Sequence, residues 1–412
     1  MSRSTTFVIV GAGLAGAKAA EALRENDFDG HIILFGAEEQ LPYERPPLSK
    51  DFLAGKKSLA DFTVQQAAWY RDHDVDLRLG TEVSAVDPSG HTVSLPDDST
   101  VAYDKLLLAT GSRPRHPALL GANAAGVHYL RTVEQSEALD RVLAKGMTLA
   151  IVGAGWIGLE VAAAARERGA DVTVVEAAKL PLLAAMGEEV ARVFAALHRE
   201  HGVHLRLNTG VRQITVEGGH ATGLILDDGS TVTARAVLVA VGAAPNVELA
   251  QQAGLDMADG GVRVDASLRT SDPDIYAVGD IATAENPLLG IRIRTEHWAN
   301  ALKQPAVAAR NMMGRSDPPA QYDELPYFFT DQYDLGMEYA GHAPSYERVV
   351  FRGDVSGREF VAFWLDGDNR VLAGMNVNVW DVLDDVKALI RSREPVDPDR
   401  LADPGRPLNA PG

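Results

Sequence analysis

The sequence predicts an α/β protein made of two tandem Rossmann-like units followed by a smaller α+β domain. Three observations carry this expectation. An apolar strand runs into a glycine triplet and then into a helix twice, at 6–16 and again at 148–158. Each copy is followed by a short hairpin and a further apolar strand, whereas from about residue 321 the pattern changes to closely spaced alternating strands. The 412 residues exceed one ordinary core and suffice for two or three domains.

The first unit opens with TFVIVGAGLAG (6–16), a strand leading into Gly11, Gly13 and Gly16. Ala17 to Leu23 reads as the following helix and HIILFG (31–36) as the next strand. The stretch 91–111 reads as a hairpin and then a strand ending at Thr110-Gly111. The second unit repeats the plan: TLAIVGAGWIG (148–158) with Gly153, Gly155 and Gly158, then a helix over 159–169 that stops at Gly169, then the strand DVTVVE (171–176). Its hairpin lies in 221–242, turning at Asp228-Gly229 and ending at Val241-Gly242. The segments 326–341, 346–353, 358–366 and 370–379 read as an antiparallel sheet, 381–393 as a helix, and the proline-rich last twenty residues as a surface tail. The expected domains are therefore 1–112 joined by 245–320, then 113–244, then 321–412.

Composition narrows the function. Apolar residues at 46% and charged residues at 23% describe a folded globular chain. The balance of 39 basic against 57 acidic residues gives −18, a surface that repels nucleic acid and anionic membranes in general, with a local basic patch left open. There is no cysteine, which removes thiolate metal sites, cysteine-held iron–sulfur clusters, disulfides and CxxC redox pairs. Electrons moved by this chain must use an organic cofactor. The apolar run Phe7–Val10 is too short for a secretory signal and no stretch approaches a transmembrane span, so a cytoplasmic enzyme is expected. DQYDLGMEY (331–339) reads as strand alternation with a negative face, and no metal site is expected.

The glycine triplets have a mechanical reading. The first glycine makes the tight turn, the second lets a pyrophosphate approach the backbone, and the third lets helix and strand pack closely. The helix amino terminus then offers N–H groups and a positive dipole end to the phosphates. Two correctly framed copies point to two dinucleotide sites. An acidic residue some 20 positions on selects the nucleotide. Glu176 lies 18 residues after Gly158 and is followed by Ala177 and Ala178, with no arginine to receive a ribose phosphate. A phosphate beside that carboxylate would meet a repulsion of about 1–4 kcal/mol, which selects NADH over NADPH. Glu38, 22 residues after Gly16, is the counterpart in the first unit, and Asp280 ends a short strand at Gly279-Asp280 that can meet a polyol.

The runs YERPPLSKDFLAGK (43–56), ATGSRP (109–114), DIYAVGD (274–280), EHWANALKQ (296–304) and PYFFTDQYD (326–334), with the two fingerprints, resemble the FAD-dependent ferredoxin reductases of the putidaredoxin and rhodocoxin reductase type. The resemblance spans nearly the whole chain and implies a glutathione-reductase-like architecture, with FAD in the first unit and NADH in the second. It places the FAD pyrophosphate on Gly11, Gly13, Leu14, Ala15 and Gly16, and lines the flavin with Arg45, Pro46 and Lys50, the last near its reactive nitrogen. Val83 would touch the adenine part, and Ala109, Thr110, Gly111, Arg131, Gly279 and Asp280 the rest, with Trp298 by the isoalloxazine ring and His297 beside it. NADH would use Gly153, Gly155, Trp156, Ile157, Gly158, Glu160, Glu176 and Gly242. Several relatives carry an aspartate directly after the glycine matching Gly36, where this chain has Ala37, so the ribose contact falls to Glu38 or to the backbone at Ala37.

What the resemblance implies for chemistry is hydride transfer from NADH to FAD and then single electrons to a two-iron ferredoxin that serves an oxygenase. Lys50 would stabilise the reduced flavin and Glu160 would pair with Lys50 and orient the nicotinamide; the plainer readings are a surface lysine after a proline turn and a helix amino-terminal carboxylate. Arg292, Arg294, Lys303 and Arg310 form either a docking face for an acidic ferredoxin or an ordinary solvated face. Rubredoxin reductase, NADH oxidase, monodehydroascorbate reductase and an apoptosis-inducing-factor-like NADH switch share the architecture. Disulfide reductases of this fold need a cysteine pair that this chain lacks.

Overall fold

A computed structural model of the protein describes residues 5–408. The chain forms two compact units: Met1–Glu44, Leu59–Arg113 and Ala244–Pro326 make one, and Arg45–Ser58, Pro114–Ala243 and Tyr327–Gly412 the other. The architecture is α/β, with a Rossmann-like sheet in each unit and an antiparallel sheet carried by the second.

In the first unit a five-stranded parallel sheet runs in the order Ile275–Ala277, Lys105–Leu108, Thr6–Val10, His31–Phe35, Val75–Arg78. Val8, Ile9, Leu106, Leu107, Ile32 and Leu34 are buried, as a parallel sheet covered on both faces requires. Thr6–Val10 continues through the helix Leu14–Glu25 to His31–Phe35 on one side and pairs with Lys105–Leu108 on the other. Its carboxyl end is thus the topological switch point, where open α/β sheets place their ligands. The alanines of that helix let it lie close against a second helix, Trp298–Met312.

The second unit repeats the arrangement. Its parallel sheet has the order His204–Arg206, Asp171–Val175, Thr148–Val152, Ala236–Val239, Val127–His128, with the switch point again after the central strand. The expected hairpin is His220–Leu226 against Thr231–Thr233. Tyr327–Gly412 supplies a five-stranded antiparallel sheet in the order Tyr327–Gln332, Leu335–Gly341, Val371–Val377, Glu359–Leu365, Arg348–Asp354, and the helix Leu383–Ser392. Phe360, Phe363 and Trp364 are fully buried in it, each contributing on the order of 1.5–3 kcal/mol of burial. The Trp364 indole N–H donates to the Met186 carbonyl at 3.2 Å. The tail forms a short helix, Pro398–Ala402, capped by Asp397, and Arg352 holds it by donating to the carbonyls of Leu401 and Asp403.

The two longest helices lie outside the sequence expectations. Trp298–Met312 contains Pro305, which interrupts the helical pattern, and Leu183–Glu200 is broken inside by Gly187 at φ 79°. Among the described residues no helix is long and apolar enough to cross a membrane.

Candidate functional site

The two glycine triplets adopt one design. Gly11 has φ +113°, and a Cβ there would meet the Ala109 carbonyl oxygen at 2.2 Å; one at Gly16 would meet the Gly11 carbonyl oxygen at 2.0 Å. In the second unit Gly153 has φ +99° and its Cβ would meet the Ala240 oxygen at 2.5 Å, while one at Gly158 would meet the Gly153 oxygen at 2.3 Å. The outer glycines are therefore demanded by the fold itself. A Cβ at Gly13 or at Gly155 meets nothing within 4 Å. These middle glycines keep space clear beyond the backbone. Each is also the N-cap of its helix and makes no side-chain cap, so the first-turn N–H groups have no side-chain acceptor from that position. Open space at a helix amino terminus, at the switch point, fits a dinucleotide pyrophosphate in both units.

Around the second cradle, Glu176 follows the strand Asp171–Val175. Its Oε2 accepts from the Ala154 N–H and its Oε1 from the Ala178 N–H, both at 2.8 Å. The carboxylate is fixed over the glycine loop and remains partly exposed, with lone pairs to spare for hydroxyl donors. Trp156 lies between the rings of Phe194 and Phe328, Ile157 is exposed, and Gly242 at φ +103° accepts from the Arg115 N–H through its carbonyl.

Around the first cradle, Leu14 and Ala15 are buried and Ala37 is exposed; Glu38 accepts from the Tyr43 hydroxyl at 2.5 Å. Val83 and Ala109 are buried. Thr110 and Asn246 exchange hydrogen bonds, ahead of Gly111 at φ +66°. Asp280 sits on the turn Gly279–Ile281, buried, where the Ser112 hydroxyl donates to it at 2.6 Å and the Gly279 N–H donates to Gln304. His297 and Trp298 are the N-cap and first residue of the helix Trp298–Met312. The expected basic cluster is charge-balanced: Arg292 pairs with Glu285, Arg294 with Glu296 and Lys303 with Glu324, while Arg310 is exposed.

In the second unit a 3-10 turn, Pro46–Ser49, presents Lys50. Arg45, just before it, donates to the Arg131 carbonyl at 2.5 Å. Lys50 Nζ lies 2.9 Å from Glu160 Oε1, and the two side chains are only 12% and 6% exposed. The ammonium also sits 5.5 Å from the centre of the Phe329 ring. Two residues outside the sequence expectations complete this array. The Ser49 hydroxyl donates to Glu160 Oε2 at 2.5 Å, and the Thr330 hydroxyl donates to Glu160 Oε1 at 2.7 Å. The usable signal for Thr330 is a polar residue on the inward register of a strand, since Thr330 and Gln332 are both buried two positions apart. Next to it, burial above all pushes the Asp331 carboxyl up; Glu160 and Asp51 add to this and Lys50 and Lys57 oppose it.

The family described as pyridine nucleotide-disulphide oxidoreductase matches residues 5–305, and that described as reductase C-terminal matches 327–411. The chain is 44% identical to the ferredoxin–NAD(+) reductase component of the anthranilate 1,2-dioxygenase system of Burkholderia cepacia, over 97% of each chain. It is 39% identical to rhodocoxin reductase of Rhodococcus erythropolis, over 97% of this chain and 92% of the relative. Among solved structures it matches the reductase of the covalent putidaredoxin reductase–putidaredoxin complex with a TM-score of 0.94 and 35% identity, covering 99% of this chain and 98% of the other. With paired cradles, a buried lysine–carboxylate array and no cysteine, the chain belongs to the pyridine nucleotide-disulphide oxidoreductase family and, within it, to the ferredoxin–NAD(+) reductases.

Proposed function

We propose that the protein is a cytoplasmic NADH-dependent flavoprotein reductase that passes electrons singly to a two-iron ferredoxin serving an oxygenase. The observation that carries this reading is the pair of cleared glycine cradles, beside a chain that has no cysteine to accept electrons. The first cradle, with Glu38, Thr110 and Asp280, would hold FAD, and the second, with Glu176, would hold NADH. Bound FAD supplies a two-electron acceptor for hydride that can return electrons one at a time.

The chain's own residues do the rest. Lys50 brings a positive charge, held by Glu160, which Ser49 anchors in turn, to a poorly solvated position where such a charge acts more strongly than in water. Glu176, held by two backbone N–H groups, accepts ribose hydroxyls and repels a ribose phosphate. The test is anaerobic stopped-flow of the purified flavoprotein. NADH is expected to bleach the flavin at least about tenfold more efficiently than NADPH, given the repulsion at Glu176, and a two-iron ferredoxin should then reoxidise it rapidly. Fast bleaching followed by slow reoxidation by ferredoxin would overturn the electron-transfer role and favour an oxidase or an NADH-switched signalling protein.

A further inference from the structure

The Lys50–Glu160 array does not end at Thr330. Gln332 lies two positions further along the same strand, so both side chains take the same buried face, at 0% and 1% exposure. Gln332 Nε2 donates to Thr330 Oγ1 at 3.2 Å, and Gln332 Oε1 lies 2.8 Å from His198 Nε2. The Tyr333 hydroxyl lies 3.4 Å from His198 Nδ1. An amide oxygen only accepts, so His198 carries its proton on Nε2 and its Nδ1 accepts from Tyr333. Thr330, receiving the Gln332 amide, has its own proton left for Glu160 Oε1. Every bond therefore points one way: Tyr333 to His198, to Gln332, to Thr330, to Glu160. The series ends on the carboxylate oxygen that also takes the Lys50 ammonium, and hydrogen bonds aligned in this way polarise one another.

Resting on the reading of Lys50 and Glu160 given above, we propose that Thr330 is a positioning residue for the hydride step. With Ser49 on the other oxygen, it fixes the Glu160 carboxylate toward Lys50. Gln332, His198 and Tyr333 fix the direction in which Thr330 donates. The hydroxyl therefore acts through Glu160 and Lys50.

The deciding variants are Thr330→Val, which keeps the branched shape and loses the hydroxyl, and Thr330→Ser, which keeps the hydroxyl. In stopped-flow, T330V is expected to slow flavin bleaching at saturating NADH roughly 10- to 100-fold, the scale of a misplaced catalytic group. Its half-saturating NADH concentration should stay near that of the parent, and T330S should recover most of the rate. In a crystal structure of T330V without nucleotide, the Glu160 carboxylate should turn away from Lys50, breaking the 2.9 Å pair. Gln332→Met, the alternative if T330V does not fold, should show the same signature with a smaller slowing. A T330V protein that keeps both the pair and the parent rate overturns the proposal. A parent protein that NADH does not bleach overturns the reductase reading instead.

Discussion

His198 is fully buried, and that burial pushes its imidazole down to about 4; the charge of nearby His201 adds to the effect, and the Gln332 bond opposes it. The unfolded chain has an ordinary histidine near 6.5 and so binds a proton first as the pH falls. The neutral-histidine arrangement is therefore intact above pH 6.5, loses stability as the pH drops, and has lost all it can below about 4. Between pH 7.5 and 5 this group should remove about 2 kcal/mol of unfolding free energy. Urea unfolding of the parent and of His198→Gln across that range checks it; equal slopes would assign the pH dependence to other groups. At this scale the sequence showed only part of the site. The family resemblance pairs Lys50 with Glu160 but names neither Ser49 nor Thr330, which reach Glu160 across 111 and 170 residues. Contacts that distant depend on how sheets are stacked, which local pattern does not encode.

Among elements, the strand–glycine–helix turn separates what the fold needs from what a ligand needs. A methyl at Gly158 would press on the Gly153 carbonyl, so Gly158→Ala should cost about 1–3 kcal/mol of stability. A methyl at Gly155 meets no protein atom within 4 Å. Gly155→Ala should keep nearly the parent's melting temperature while its NADH affinity falls about tenfold or more, the pyrophosphate being displaced from the helix terminus. Thermal unfolding and NADH titration of the two variants distinguish these outcomes, and undiminished NADH binding by Gly155→Ala would remove the pyrophosphate from that cradle. These turns were legible because turn, strand and helix signals coincide within a dozen residues. The helix Trp298–Met312 was hidden by Pro305, whose local rule is to end helices, whereas here the surrounding packing retains it.

For the whole molecule, composition told most about what is excluded. An acidic, cysteine-free chain leaves the disulfide chemistry in its family's name without a thiol to carry it. Glycine-rich motifs mark where each Rossmann-like unit opens, at 6–16 and at 148–158. The grouping of Arg45–Ser58 with the second unit has no such marker, because it depends on long-range packing such as the Ser136 hydroxyl on the Leu48 carbonyl and Arg168 on the Leu53 carbonyl.

The cleared space at Gly13 and Gly155 has a consequence for supply as well as for recognition. Helix termini shaped to receive phosphates are completed only from outside the chain, so the dinucleotide is in effect a structural member that the ribosome does not provide. A ligand at one hundred times its Kd adds about 2.7 kcal/mol to the folded state. Adding FAD to the stripped protein should accordingly raise its melting temperature in a concentration-dependent way, and a flat melting temperature would separate cofactor binding from the fold. If the shift is seen, the amount of this reductase a cell maintains is set partly by its flavin pool, because chains that outrun that pool are the ones proteases find first.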